Sequence, residues 1–175
     1  MHKEKGLIEL QVDSLLEGIN ELLFTCEAAD FNDPQLIDAG FRGKVQVEVT
    51  AENSETEITV TIMTSATAEL SCDICLAPVS KTLTGSYDIF YVYKDHAGVV
   101  PEGNDDYRLL DRNAETIDIT EDIRETLLLS LPMKVTCTDN PECRIYSGTE
   151  EEKHSGDGDR SIWLESLEKL KNKYR

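Results

Sequence analysis

Three stretches in the middle of the chain alternate apolar and polar residues over lengths that suit long β-strands and little else. In "GKVQVEVTA", residues 43–51, Val45, Val47 and Val49 share one face. In "EITVTIMTSATAEL", residues 57–70, Ile58, Val60 and Ile62 oppose Thr59, Thr61 and Met63. Side chains of a strand alternate between its two faces, so a period of two buries one face and wets the other. "VSKTLTGSYDIFYVYK", residues 79–94, is rich in the β-branched and aromatic residues that fit a pleated surface. "AENSE" between the first two has the composition of a hairpin connection. Three long strands on short turns predict an antiparallel meander.

The flanks add smaller elements. "GLIELQV" reads as a short strand, and "SLLEGINELLF" as a helical turn leading into another, with Gly18 interrupting the pattern. Residues 95–115 are polar and turn-rich, with an extended piece at "YRLL", and "TIDIT" reads as a short strand. "ITEDIRETLLLSLP" has the marks of a helix. Thr120 is placed to cap it, and Glu121 and Asp122 sit where the helix dipole favours negative charge. Ile123, Leu127 and Leu131 form one apolar face, and Pro132 stops it. The fold class expected is α+β, mainly antiparallel β as a twisted meander or partly open barrel, with one packed helix and a C-terminal amphipathic helix.

Composition divides the chain. Residues 1–146 read as a single β-rich domain. Residues 147–159, "SGTEEEKHSGDGD", hold three Gly, two Ser and five acidic residues, the make-up of a linker. Residues 160–175 read as a helix with Trp163, Leu167, Leu170 and Tyr174 along one side. This segment has five basic and two acidic side chains, whereas the rest has 12 basic and 33 acidic. The net charge of −18 repels nucleic-acid phosphates and anionic lipid at long range and suits a basic partner. The opening residues have no apolar run long enough for a signal core, and no window approaches a membrane span. The expectation is a cytoplasmic protein with no membrane partner and no small-molecule substrate.

Four of the five cysteines fall into two pairs, Cys72-x2-Cys75 and Cys137-x5-Cys143. A tight turn bearing Cys-x2-Cys points two sulfurs at one ion, and zinc takes four thiolates in a tetrahedron. The second pair is wider than the usual two-to-four spacing, although Asp139, Asn140 and Pro141 favour a turn there. Three readings stand: a structural zinc held by Cys72, Cys75, Cys137 and Cys143, five reduced and unliganded cysteines, or a redox pair at "CDIC". The two-pair arrangement favours the metal, and the lack of a βαβ pattern disfavours redox exchange. Cys26, in "LLFTCEAA", reads as a small buried hydrophobe. His2, His96 and His154 sit in no motif and read as solvated residues. There is no GxSxG, phosphate loop or HExxH.

Several of these pieces occur in an order that resembles the YceD family, the large ribosomal RNA subunit accumulation proteins. "CDICLAP" matches the family's Cys-x2-Cys-Leu-x-Pro turn, and "YDIFYVY" its aromatic-ended strand. "IDITEDIRETLLLSLP" matches its strand and Leu-x-Leu-Pro helix, "CTDNPEC" its second cysteine cluster and "WLESLEKLK" its tail helix. The resemblance runs from residue 43 to 175, and the first 42 residues match loosely. Many relatives have a further cysteine near the place of Tyr146. The resemblance implies an accessory role in large-subunit biogenesis, without enzymatic activity, supporting ribosomal RNA accumulation or processing. The partner expected is ribosomal RNA or a basic ribosomal protein of the large subunit. Trp163, Lys169, Lys171, Lys173 and Arg175 are the candidate RNA or partner contacts. Docking of that helix onto the protein's own acidic body is the competing reading. The alternative function is a zinc-dependent hydrolase or nuclease acting on RNA precursors, for which Asp139 and Glu142 are the only acid–base candidates beside the cysteines.

Overall fold

The computed structural model describes residues 6–99, 103–137 and 143. Strands β2 (Gly18–Glu27), β3 (Phe41–Asn53), β4 (Glu57–Ser71), β5 (Pro78–Tyr93) and β6 (Tyr107–Leu110) form an open five-stranded sheet in that order. From β2 to β5 each strand is antiparallel to the next, which is the meander expected from the alternation. β6 joins the far edge parallel to β5. The short β1 (Glu9–Gln11) pairs antiparallel with β7 (Thr116–Asp118) in a second, two-stranded sheet. The α-helices with described bounds are α1 (Pro34–Asp38) and α2 (Thr120–Leu129).

The alternation decides which face is buried. Val45, Val47 and Val49 from β3, Ile58, Val60 and Ile62 from β4, and Ile89 from β5 all lie inside. Helix α2 lies across β4 and β5 and brings Ile123 and Leu127 into the same core, with Leu10 and Ile117 from the small sheet. The helix can come this close because β5 has no side chain at Gly85. A Cβ there would stand 2.8 Å from both the Thr126 carbonyl oxygen and its methyl carbon. Fully burying an aliphatic side chain is worth about 1.5–3 kcal/mol, so this layer dominates the stability of the fold.

Two polar clamps fix the helix. The Arg108 guanidinium of β6 donates to both carboxylate oxygens of Asp122, one at 2.8 Å, and lies 5.9 Å from the centroid of the Tyr91 ring. This contact holds the Arg108 pKa further up, and Asp122 is buried by it. Arg124 reaches across to α1, donating to Asp33 and, at 2.9 Å, to Gln35 Oε1.

The ends of α2 differ from expectation. Thr120 is the first helical residue rather than the cap, and Ile119 takes the cap position without a side-chain hydrogen bond. The Asp118 carboxylate accepts from the Thr120 amide at 2.9 Å instead. The Thr120 hydroxyl is then left to accept from Ile8 N at 3.1 Å, tying the helix start to the segment entering β1. The helix ends at Leu129 with Ser130 as its cap, short of Pro132. A residue before proline is pushed out of the helical region, and the last turn closes ahead of it. Leu131 therefore packs on the core from beyond the helix. Gly18, at φ +95°, marks where β2 starts rather than a break inside an element. Helix α1 was not legible as a helix, although Asp33 caps it by accepting from Gln35 N and Pro34 occupies its first turn. The acidic segment 147–159 and the helix expected over 160–175 lie outside the described residues.

Candidate metal centre

The connection from β4 to β5 is a turn of six residues, Cys72 to Ala77, closed by two hydrogen bonds. Cys72 N donates to the Ala77 carbonyl at 2.8 Å, and Leu76 N donates to the Cys72 carbonyl at 2.9 Å. Leu76 has φ 59°, a left-handed conformation that a branched side chain seldom adopts. Such strain persists where the surrounding contacts over-determine it, and it lies next to Cys75.

The chain leaving α2 returns to this turn. Asp73 N donates to the Val135 carbonyl at 2.9 Å, and Val135 N donates to Asp73 Oδ2 at 2.6 Å. This reciprocal pair fastens residue 135 beside the turn and so positions Cys137 two residues later. Cys137 N then donates to Cys72 Sγ at 3.4 Å, and Cys75 Sγ lies 3.4 Å from Cys137 Sγ. An amide aimed at a sulfur supports the thiolate form that a metal needs.

All four paired cysteines, Cys72, Cys75, Cys137 and Cys143, present sulfurs within 4.8 Å of one another. Cys72 and Cys143 are buried, while Cys75 and Cys137 are partly exposed. Sulfurs at about 2.3 Å from a tetrahedral zinc stand about 3.8 Å apart, so the observed spacing fits that ion with a small adjustment. Four thiolates also close the coordination sphere, and a closed sphere is that of a structural site rather than of a hydrolytic one with an open position for water. The wide spacing of Cys137 and Cys143 is no obstacle. Sequence reasoning found the ligands by their pairing but missed Asp73, since an aspartate inside Cys-x2-Cys has no signature of a backbone clamp.

The remaining candidates fall elsewhere. Cys26 packs against the core from the inner face of β2 but is only half-buried, less enclosed than expected. Burial, and then the Asp30 carboxylate, push its thiol up to about 11, so it is no thiolate ligand at neutral pH. His96 is partly exposed, less open to solvent than expected, with Nε2 3.8 Å from Asp95 Oδ2. His2, His154, Asp139, Glu142, Trp163, Lys169, Lys171, Lys173 and Arg175 lie outside the described residues. Among the described residues no helix is long and apolar enough to cross a membrane.

A family model described as "Large ribosomal RNA subunit accumulation protein YceD" matches residues 60–171, from near the start of β4 onward. No curated protein matches the chain. No solved structure matches it either.

Proposed function

Because the chain belongs to the YceD family of large ribosomal RNA subunit accumulation proteins, we propose that it is a cytoplasmic, non-enzymatic accessory factor in large-subunit biogenesis. It supports ribosomal RNA accumulation by binding that RNA or a basic ribosomal protein. The observation that carries this reading is the extent of the family match. Residues 60–171 include the cysteine turn, β5, β6, α2 and the second cysteine pair, so the whole candidate centre falls within the matched region.

Zinc in this reading is a structural cross-link, and when bound it supplies a rigid tie between the β4–β5 turn and the segment after α2. Cys72, Cys75, Cys137 and Cys143 hold it. Asp73 and Val135 keep the two sides in register, and the left-handed Leu76 turns the chain away behind Cys75. The acidic balance of the chain favours a basic protein over RNA for the body itself. Any RNA contact then falls to Lys169, Lys171, Lys173 and Arg175, four cations that make only a weak and salt-sensitive attachment, with Trp163 as a further candidate contact.

The test is depletion of the protein in its host, followed by the ratio of large- to small-subunit ribosomal RNA. The ratio falls on depletion and is restored by the full chain. An unchanged ratio refutes the role. Removal of residues 160–175 abolishes co-sedimentation with large-subunit precursors if the tail makes the contact, and unchanged co-sedimentation refutes that part alone.

A further inference from the structure

The inner face of the large sheet is covered by helix α2 and the small sheet, but its outer face presents an ordered pattern to solvent. The strand register sets it out in rows. One row runs Leu23, Glu48, Met63, Ser86 and a second runs Glu21, Thr50, Thr61, Asp88. A third runs Ile19, Glu52, Thr59, Phe90, Tyr107, where Phe90 stacks on Tyr107 at 4.8 Å. Ile19, Leu23 and Met63 are 70%, 71% and 51% exposed. Three large apolar side chains that wet on one sheet face are more than scattered surface residues and mark a surface used for contact.

The charges on this face divide by position. Toward one end they are matched, since Lys44 is the register partner of Glu27 and Arg42 Nε lies 3.7 Å from Glu69. In the three rows they are not. Glu21, Glu48, Glu52 and Asp88 have only uncharged register partners, and none of them has an ion pair among the described residues. Two depressions adjoin at Glu48, one of ≈ 400 Å³ beside Leu23 and one of ≈ 160 Å³ beside Met63. Carboxylates therefore alternate with apolar side chains along β2, at Ile19, Glu21 and Leu23, and across the first row, at Leu23, Glu48 and Met63.

We infer that the outer face of β2, β3, β4 and β5 is the docking surface for a lysine- and arginine-rich protein segment that carries aliphatic anchors. The aliphatic groups seat in the hollows beside Leu23 and Met63, and the basic groups meet Glu21, Glu48, Glu52 and Asp88. Complementary charge at this density speeds encounter and selects the partner, while the apolar contacts supply residence time. RNA does not fit, because the same four carboxylates repel phosphate and no cation interrupts them in these rows. A second copy does not fit either, since it would set the acidic rows against each other. The inference rests on the reading of the protein as a ribosome-biogenesis factor and names the part of the body that takes a basic ribosomal protein.

The probes are the basic proteins purified from large ribosomal subunits, each titrated against the full chain at about 0.15 M salt, where exposed charges are screened beyond about 8 Å. A transcript of large-subunit ribosomal RNA is titrated in parallel. Two variants leave the buried face untouched, Glu48→Lys with Glu52→Lys, and Leu23→Ser with Met63→Ser. At least one basic protein binds the wild type. The charge variant weakens that binding about tenfold or more and flattens its salt dependence, and the apolar variant weakens it about tenfold with the salt dependence kept. The inference is overturned if no basic protein binds, if both variants bind as the wild type does, or if what they abolish is RNA binding or self-association. Variants that bind normally in a host whose ribosomal RNA ratio falls on depletion sink the docking face and leave the accessory role standing. An unchanged ratio on depletion sinks the role whatever the face binds.

Discussion

Gly85→Ala tests the packing on which the centre depends. Helix α2 must hold its place on β5 for the chain after it to reach the cysteine turn, and at Gly85 the helix packs against a position of β5 that has no side chain. The added methyl would lie 2.8 Å from the Thr126 methyl carbon, 2.8 Å from the Thr126 carbonyl oxygen and 3.2 Å from Thr64 Oγ1. The Thr126 side chain cannot swing aside freely, because its hydroxyl donates to the Asp122 carbonyl at 2.6 Å and the residue is buried. The carbonyl oxygen can retreat only with the helix. Overpacking of this kind costs about 1–3 kcal/mol, and the backbone contact places this case near 2 kcal/mol. Urea denaturation of the full chain measures it, with a lower midpoint at an unchanged slope. Thr126→Ser keeps the hydroxyl bond and removes the methyl carbon. Combined with Gly85→Ala it recovers less than half of the loss, because the carbonyl contact remains. A Gly85→Ala protein within about 0.5 kcal/mol of the wild type, the usual range of surface changes, would refute the close packing of α2 on β5.

Three further outcomes follow from the same contacts. Asp122→Ala leaves the Arg108 guanidinium against Tyr91 without its carboxylate; breaking a buried pair costs about 3–5 kcal/mol, and the 40% exposure of Arg108 lowers this to about 2 kcal/mol by chemical denaturation. Leu76→Gly relieves a left-handed conformation that costs a side chain about 1–2 kcal/mol. The freer unfolded chain returns about 0.4–1 kcal/mol of this, so the thermal midpoint rises slightly rather than falls. The Arg124 guanidinium beside Asp33, helped by the Gln35 amide, holds the Asp33 carboxyl below the usual carboxylate range. Its contribution is thus present at neutral pH and is lost as pH falls below about 4, and Asp33→Asn flattens the stability curve in that acid window while lowering stability at pH 7.

What could be read in the chain beforehand follows from how local each signal is. β3, β4 and β5 were legible because period-two alternation is written residue by residue, and Val45 to Ile62 lie where that pattern puts them. Helix α2 was legible from Ile123 and Leu127, although its first residue was misplaced. Asp118 rather than Thr120 serves its leading amide, a choice made by the tertiary contact to Ile8. Helix α1 is a single turn whose stability comes from Asp33 and from Arg124 across the interface, and no periodicity can accumulate over five residues. The parallel addition of β6 was equally hidden, since pairing across a polar loop leaves no mark in "YRLL". The cysteines announced a site by number and spacing. Their convergence depends on Asp73 and Val135, 62 residues apart, and no short-range pattern encodes that clamp.

The four clustered sulfurs of Cys72, Cys75, Cys137 and Cys143 are proposed to hold one structural metal that would tie the β4–β5 turn to the segment after α2. Elemental analysis of the full chain, purified without chelator, tests it most directly. The expected result is about one equivalent of zinc per chain, and loss of that zinc in Cys72→Ser together with a lower thermal midpoint. Metal-free wild-type protein, or a Cys72→Ser variant that keeps both its zinc and its stability, would contradict it.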